Sequence, residues 1–256
     1  MNILQVAPRY PPQSGGVETH VKEISERPVD RGHEVTVVTA DAGNEGKRRE
    51  RRNGVSARRY WSIAPNSATH LCPQVAVAIR RADADVVHAH NYHSFPLFFA
   101  AAGIGDQRLV VTTHYHGGSA NSMLNRLLSL YLPFGRWAVR RADEVIAVSE
   151  WETERLKSDF GVDATVIPNG IEVDRFTDAE PIERERPYLL TVGRLEEYKG
   201  VQYVIRSMAE IPEYDLLVAG SGPYRNELEQ IARKAGVSEQ IEFLGYVSDE
   251  ELPRLY

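Results

Sequence analysis

Residues 189–200 read LLTVGRLEEYKG, and this stretch decides how the second half of the 256-residue chain folds. The apolar run at 189–192 predicts a buried strand, and apolar side chains at helical spacing in 201–208 predict a helix. Arg194 and Lys199 lie in the turn between them. A guanidinium group can hold two oxygens of one anion, an ammonium group adds a compact charge, and a helix N-terminus favours anions. The stretch therefore predicts a site for a group with two phosphates; the alternative is an exposed turn with two surface cations.

The N-terminal residues repeat this strand–turn–helix order. Residues 2–7 form a short apolar strand, residues 8–16 contain three prolines and two glycines, and residues 17–24 carry apolar side chains at helical spacing. Open α/β sheets bind ligands at the carboxyl ends of their strands, so Gly15 and Gly16 lie where a backbone can approach an anion. The alternative is a plain turn. The glycines do not form the G-x-G-x-x-G pattern, and binding of NAD is therefore not favoured.

Strands and helices alternate along the whole chain. Further strands are predicted at 34–39, 85–88, 109–113, 144–148 and 165–167 and, after a polar segment at 172–187, at 188–192, 215–219 and 241–244. The longest predicted helix, at 121–141, is expected to be interrupted at Pro133. The pattern predicts an α/β protein of two domains, 1–177 and 178–256, with mostly parallel sheets, the second of them incomplete. A cleft is expected between the strand ends of the two domains.

The composition is that of a soluble globular protein, with 42% hydrophobic and 26% charged residues. The formal net charge of −6 argues against general binding of nucleic acid. The single cysteine, Cys72, excludes an internal disulfide and fits a reducing compartment. The first eight residues predict a strand rather than a signal peptide, and no apolar run approaches the roughly 20 residues that span a bilayer. A cytoplasmic protein is expected.

Residues 41–59 are strongly basic in an otherwise acidic chain. Their cations are Lys47, Arg48, Arg49, Arg51, Arg52, Arg58 and Arg59. A cation near an anionic membrane contributes about 1 kcal/mol to binding, so one interpretation is peripheral contact with anionic lipid at the inner face of the membrane. The other is a solvated loop. The segment 121–141 mixes apolar side chains with arginines and leaves a similar choice between a membrane or acceptor contact and core packing.

Five of the eight histidines are expected at one edge of the first sheet. They follow two neighbouring predicted strands and are His88, His90, His93, His114 and His116. Imidazole is a common zinc ligand, so a zinc site is one interpretation. A histidine that points into a substrate pocket is favoured, because no nearby cysteine or carboxylate completes a metal shell. Asp83 and Asp85 form a D-x-D pattern, but they precede their strand and lie at the wrong end for a site.

Nine segments match the motifs of one known family in order and spacing. They are GGVETHVKEI (15–24), RGHEVTVVT (31–39), DVVHAH (85–90), VTTHYHG (111–117), ADEVIAVSE (142–150), VIPNGIEVDRF (166–176), GRLEEYKG (193–200), LLVAGSGP (216–223) and IEFLGYVSDEEL (241–252). They are spread along the chain from residue 15 to residue 252. Through these motifs the chain resembles the GT-B glycosyltransferases of the large retaining family 4. The resemblance implies two Rossmann-like domains, of which the C-terminal one binds most of a nucleotide-sugar donor.

The resemblance also implies the roles of individual residues. Arg194 and Lys199 match the pair that binds the diphosphate and offsets the charge of the leaving group in place of a metal. Gly16 matches the glycine of the N-terminal loop that approaches the donor phosphate and the acceptor. His114 matches the histidine that contacts the donor sugar near the reacting centre, and the backbone of Val247 matches the position that meets the nucleobase.

Three further residues complete the implied site. Gly222 belongs to the donor side, and Gly15 and Glu18 belong to the acceptor side. The family transfers a sugar with retention by front-face attack, so no carboxylate pair, metal or cofactor is implied. The resemblance implies a UDP-, GDP- or ADP-linked sugar as donor, and the acceptor is expected to be a glycan, a lipid carrier or a small molecule.

The sequence departs from the family pattern at its end. Family members usually continue through a turn with two glutamates seven residues apart, which hold the donor sugar and ribose, and through a helix that braces the N-terminal domain. A second interpretation is therefore a truncated, catalytically impaired binding or regulatory remnant. A histidine-rich metal hydrolase is a third, and a nicotinamide oxidoreductase is disfavoured by the missing glycine pattern.

Overall fold

The computed structural model describes residues 1–13, 15–42, 48–63, 70–115 and 122–256. Contacts within the chain define two compact units, Met1–Asn169 and Gly170–Tyr256. The predicted domain boundary, between residues 177 and 178, falls within the second unit and stays a prediction. Each unit contains a mostly parallel sheet with connecting helices, which confirms the predicted α/β class.

The first unit is built on an eight-stranded sheet. Its elements are β1 (Asn2–Ala7), α1 (Gly16–Asp30), β2 (Glu34–Ala42), β3 (Arg49–Arg52), β4 (Val55–Trp61), α2 (Gln74–Arg80), β5 (Val86–His90), α3 (Phe95–Gly103), β6 (Arg108–Thr112), α4 (Ser122–Arg140), β7 (Glu144–Ala147), α5 (Glu150–Phe160) and β8 (Thr165–Val166). The strand order is β3-β4-β2-β1-β5-β6-β7-β8, and only β3 is antiparallel to its neighbour. The order reverses between β1 and β5, which is where doubly wound sheets bind their ligands.

The strands bury side chains on both faces of this sheet. Leu4 and Val6 of β1 join the larger core under α2, α3, α4 and α5, whereas Ala7 packs with Val21 of α1 and with Val37 of β2. This division follows from the two-residue period of a strand, which sends successive side chains to opposite faces. The alternation of side chains along β1 therefore determines which residues face each side of the sheet at the reversal point.

Helix α4 runs through Pro133 without a break, so the predicted interruption is wrong. A proline inside a helix removes one hydrogen bond and costs about 3 kcal/mol. Tyr131, Ala138 and Val139 of the same helix are buried in the main core. Burial of large apolar side chains contributes about 1.5–3 kcal/mol each, which is enough to offset the proline.

The second unit is built on a three-stranded parallel sheet. Its elements are α6 (Asp174–Thr177), β9 (Tyr188–Val192), α7 (Val201–Ser207), β10 (Asp215–Ala219), α8 (Arg225–Ala235) and β11 (Ile241–Gly245). The strand order is β11-β10-β9. Leu216 and Val218 face a core shared with α7 and α8, while Leu217 and Ala219 pack against the last residues of the chain, among them Leu255.

Candidate functional site

The loop after β1 opens directly into α1 at the reversal point of the first sheet. Gly16 is the first residue of α1, and a β carbon added there would meet no atom, so the backbone at Gly16 can be approached closely. A β carbon on Gly15 would overlap the carboxylate of Glu18, which folds back over the start of the helix. The three N-terminal residues predicted from the resemblance, which are close in sequence, thus lie at the start of α1.

Four imidazole rings lie together on the α1 face of this sheet. We call His20, His88, His90 and His114 the histidine cluster. The ring centroids of His88 and His90 are 4.1 Å apart, those of His20 and His114 are 5.0 Å apart, and those of His20 and His90 are 5.7 Å apart. The cluster unites residues from α1, from β5 and from the loop after β6, so tertiary structure and not sequence proximity creates it.

Buried polar partners fix two of these rings. Nε2 of His88 lies 2.8 Å from Oγ1 of Thr112, and Nε2 of His90 lies 2.8 Å from Oε1 of Gln5. Burial lowers the pKa of His88 to about 3, with smaller contributions from His20 and His114. Burial also holds the pKa of His90 well below its usual value and lowers the pKa of His20. These three imidazoles are therefore neutral at pH 7.

Among the described residues, the predicted histidine group differs from the observed cluster in two members. His93 was expected there, but its ring packs against Tyr92 and Tyr115 at centroid distances of 5.1 and 5.6 Å, so that prediction is wrong. His116 lies outside the described residues. His20 was missed, although it is three residues after Val17 and therefore on the apolar face of the helix.

His114 sits in a backbone conformation that few residues adopt. Its φ of 46° lies in the left-handed region, where histidine is found more often than most side chains. Both of its neighbours are held by Glu152, whose carboxylate is buried and accepts from the hydroxyl of Thr113 and the backbone N–H of Tyr115. The other oxygen of Glu152 accepts from the N–H of Val148 at 2.7 Å. One carboxylate thus joins the end of β6 to the start of α5.

Sequence reasoning missed Glu152, although a signal was present. Ser149 lies just before α5, and its side chain accepts from the N–H of Glu152 at 3.2 Å. Serine followed by glutamate three residues later is a capping box, in which the glutamate turns back toward the residues before the helix. Here Glu152 turns back further and reaches the adjacent strand end.

Replacing Glu152 with alanine is expected to lower the free energy of unfolding of the first unit by about 3 kcal/mol. The substitution leaves three donors without an acceptor, and each buried unsatisfied group costs about 1–3 kcal/mol before water enters the space. Glu152→Gln keeps one acceptor oxygen, so its loss should be smaller. The three tryptophans all lie in the first unit, so denaturant unfolding followed by tryptophan fluorescence measures the right transition.

Glu150→Ala is the matched control for this substitution. Glu150 occupies the same first turn of α5 but is exposed, so its loss should cost less than about 1 kcal/mol. Equal destabilisation by the two alanine variants would contradict the role given to the Glu152 carboxylate.

The predicted phosphate site lies in the turn after β9. Arg194 and Lys199 line a cavity of about 130 Å³ together with Gly193. The side chain of Arg194 is 76% exposed, and its guanidinium lies 2.9 Å from the carboxylate of Glu196. The ammonium of Lys199 lies 5.3 Å from the ring centroid of Tyr198. Exposed ion pairs are weak, so both cations can turn toward an anion at small cost.

Two glycine-bearing turns of the second unit pack backbone against backbone. A β carbon on Gly220, whose φ is 139°, would overlap the carbonyl of Gly193, and a β carbon on Gly222 would overlap the carbonyl of Leu195. The N–H of Leu195 donates to the carbonyl of Ser221 at 3.0 Å. Gly222 therefore has a structural reason to be glycine, since only its small size lets the turn after β10 lie against the turn that carries Arg194.

Val247 follows the end of β11 by two residues. Its side chain is half-buried and packs against a core that contains Leu217 and Ala219. This packing involves the side chain of Val247 and not its backbone. The contact of the Val247 backbone with a nucleobase stays a prediction.

The described part of the basic segment contains a hairpin, whereas the alternative to a lipid contact was a solvated loop. Strands β3 and β4 pair with Arg49 opposite Arg58, and both side chains are exposed. Arg59 faces the other way: it is buried, bonded to the carboxylate of Glu50 and to the carbonyl of Tyr10, so its inclusion in a membrane-binding surface is wrong. Lys47 lies outside the described residues.

The D-x-D pattern has a structural role in the part of the chain that is described. Asp85 lies just before β5, and its carboxylate accepts from the backbone N–H of Asn2 at 2.7 Å. Both groups belong to the amino-terminal ends of their strands, which is the edge opposite to the histidine cluster.

Among the described helices, none combines the length and the apolar character needed to cross a membrane.

Comparison with known protein families finds two adjacent matches. The profile of Glycosyltransferase Family 4 matches residues 14–175, and the profile of Glycosyl transferases group 1 matches residues 172–256. Together they account for nearly the entire chain, and each falls largely within one of the two units.

Comparison with individual proteins finds one relative by sequence and two solved structures of similar fold. The chain is 29% identical to a GDP-mannose-dependent alpha-(1-6)-phosphatidylinositol monomannoside mannosyltransferase of Mycolicibacterium smegmatis, over 98% of this chain and 69% of that protein. Its fold resembles sucrose-phosphate synthase from Thermosynechococcus elongatus, with a TM-score of 0.82 and 18% identity over 99% and 72% of the two chains. It also resembles Anabaena Alr3699/HepE in complex with UDP and glucose, with a TM-score of 0.75 and 21% identity over 100% and 71%.

Proposed function

The chain belongs to glycosyltransferase family 4, and from that membership we propose that it moves a hexosyl group from a nucleotide-diphosphate sugar to a hydroxyl group of a glycan or lipid-linked acceptor. The proposed transfer retains the anomeric configuration. It requires no metal ion and no cofactor beyond the nucleotide sugar.

The cation pair of the second unit carries this proposal. Arg194 and Lys199 lie on one turn, line one cavity and keep their charged groups accessible. A diphosphate accumulates negative charge when its bond to the sugar breaks, and fixed cations stabilise that charge most where it develops. Magnesium supplies this stabilisation in many phosphoryl enzymes. Two protein cations at the same place support a reaction that runs without the metal.

The proposed step exchanges one bond to the anomeric carbon for another. The acceptor oxygen bonds to this carbon on the face from which the diphosphate leaves, and the proton of the acceptor hydroxyl passes to the departing phosphate oxygen. The products are the glycosylated acceptor and a nucleoside diphosphate. Gly222 would hold the turn beside the diphosphate, and the backbone of Val247 would meet the base.

The first unit supplies the proposed acceptor side and the catalytic histidine. We assign to His114 the contact with the donor sugar, because it lies next to the reversal point of the sheet and is held in place on both sides by Glu152. Gly16 leaves room for a phosphate or an acceptor hydroxyl to approach the backbone, and Gly15 with Glu18 would border the acceptor.

A lipid-linked acceptor at a membrane surface has independent support from the basic hairpin. Arg49 and Arg58 lie directly opposite each other, which is an unfavourable arrangement of like charges. Arg51 and Arg52 on the same hairpin are also exposed. An anionic surface relieves this repulsion, so the hairpin fits peripheral contact with anionic lipids on the cytoplasmic side. The named substrate of the mycobacterial relative is a phosphatidylinositol derivative.

The full 256-residue chain, incubated with UDP-, GDP- and ADP-linked hexoses and a phosphatidylinositol acceptor, is expected to release one nucleoside diphosphate. Release should continue in the presence of EDTA, and proton NMR of the product should show the anomeric configuration of the donor. A panel that includes each donor without acceptor separates transfer from hydrolysis.

The negative outcomes of this experiment are distinct. Loss of activity in EDTA would overturn metal independence, and an inverted product would overturn retention. A chain that binds a nucleotide by calorimetry but transfers no sugar from any donor would overturn the proposed enzymatic function and favour a binding role.

A further inference from the structure

We propose that His20, His90 and His114 together bind one transition-metal ion of the zinc class, and that the bound ion inhibits sugar transfer. The second half of this proposal rests on the function proposed above, because it requires His114 to act in that reaction. The first half rests only on the geometry and chemistry of the three imidazoles.

Three elements converge on this site. His20 lies on α1, His90 ends β5, and His114 follows β6, and one ligand nitrogen from each lies within 4.8 Å of the others. A zinc ion bound at about 2.0–2.1 Å by each nitrogen brings pairs of nitrogens to about 3.3 Å. The rings must therefore close by about 1.5 Å at most, which rotation of half-buried His20 and His114 can supply.

His90 is already prepared as a ligand. Its Nε2 lies 2.8 Å from the amide oxygen of Gln5, and an amide oxygen only accepts hydrogen bonds, so Nε2 carries the proton. Its Nδ1 then holds the free lone pair, and this atom is fully buried with no hydrogen-bond partner among the residues that the structure describes. A ligand histidine whose second nitrogen donates to a fixed oxygen is the usual arrangement at metal sites.

The ligand chemistry of the site favours a divalent transition-metal ion. Three imidazoles select zinc, nickel, copper or cobalt over magnesium and calcium, which prefer oxygen ligands. Three protein ligands also leave a fourth position open for water or an anion.

Inhibition follows from the identity of the third ligand. A metal ion on His114 occupies the nitrogen lone pair and holds the ring toward α1. The ring then cannot make the contact with the donor sugar that we propose for it. A reaction that needs no metal would thus be reversibly switched off by one.

Cobalt is the probe that reports on the site without any assay of activity. Co²⁺ added to the full chain is expected to give the intense visible absorption of a tetrahedral or five-coordinate ion at one equivalent, and Zn²⁺ should displace it. His20→Gln removes the ligand that α1 contributes and should abolish this absorption. His33→Gln removes a histidine outside the cluster and should keep it.

Two results would overturn metal binding. One is a wild-type protein that shows no such absorption at saturating Co²⁺. The other is a His20→Gln variant, folded by circular dichroism, whose absorption equals that of the wild type.

The inhibitory half is tested by the ratio of transfer rates with and without Zn²⁺. Wild-type transfer is expected to fall at least 10-fold in Zn²⁺ and to recover in EDTA, while His20→Gln should need at least 10-fold more Zn²⁺ for the same inhibition. Unchanged wild-type transfer at Zn²⁺ concentrations that displace Co²⁺ would overturn inhibition. Absence of transfer in EDTA contradicts the proposed function instead, and the cobalt result still decides the metal site.

Discussion

Lowering the pH from 7 to 5 is expected to remove about 4 kcal/mol of stability from the first unit. Burial lowers the pKa of His88 to about 3 and holds the pKa of His90 well below its usual value, whereas in the unfolded chain both titrate near pH 6.5. A histidine that is protonated only when unfolded favours unfolding by about 2 kcal/mol at pH 5, so two contribute about 4 kcal/mol.

The sign follows from proton uptake. Below pH 6.5 the unfolded chain binds protons that the native state does not bind, so the free energy of unfolding decreases as the pH falls. The contribution of His88 to this decrease ends near pH 3. His20 acts in the same direction, since burial also lowers its pKa. This decrease begins at a higher pH than the range in which ordinary carboxylates titrate. The first loss of stability on acidification is therefore caused by histidines.

Urea unfolding followed by tryptophan fluorescence at pH 7, 6 and 5 measures this loss. His88→Leu has one buried imidazole fewer, and it should lose only about 2 kcal/mol over the same interval, whatever its stability at pH 7. His33→Gln removes a histidine outside the cluster and should retain the wild-type slope. A His88→Leu variant with the full slope would show that buried histidines do not set the acid limit of this unit.

Replacing Arg194 and Lys199 together with alanine is expected to lower kcat/KM for transfer by at least about 10³-fold. Removing one group that stabilises developing negative charge typically costs about 10²–10³-fold in rate. The two cations act on the same diphosphate, so their losses will not simply multiply. Binding of the free nucleoside diphosphate should weaken as well, because the charge is already present in the ground state.

Steady-state kinetics and calorimetric titration with UDP, GDP and ADP separate these two effects. Arg233→Ala/Lys234→Ala removes two exposed cations from the last turn of α8 in the same unit, and it should change transfer less than about 3-fold. Comparable losses in both double variants would mean that net charge, and not the turn after β9, determines donor binding.

The α/β class was predictable because most of the parallel strands are short, largely apolar runs, whereas β3 (Arg49–Arg52) carries only charged side chains and was not predicted. Residues 2–7 and 215–219 were predicted with the limits that the structure has, since burial on both faces makes most of their side chains apolar. Pro133 was misread because helix propensity is a local property, whereas the packing of Tyr131 and Val139 into the core is not.

The site was predictable where it depends on neighbours in sequence and not where it depends on folding. Arg194 and Lys199 share a turn, so their spacing alone brought them together. Arg59 was counted with its basic neighbours because charge in a sequence carries no information on burial. Glu152 joins residues 37 and 39 positions away, a relation that only tertiary structure creates.

The left-handed backbone of His114 also limits which amino acids can ever replace it. Asparagine, aspartate and glycine accept a φ of 46° at little cost, while valine, isoleucine and threonine do not. In a saturation library at this position, many variants will therefore lose activity because they fold poorly and not because they lack the imidazole. Among its inactive clones, asparagine is the informative one, because it keeps the local conformation and removes the imidazole.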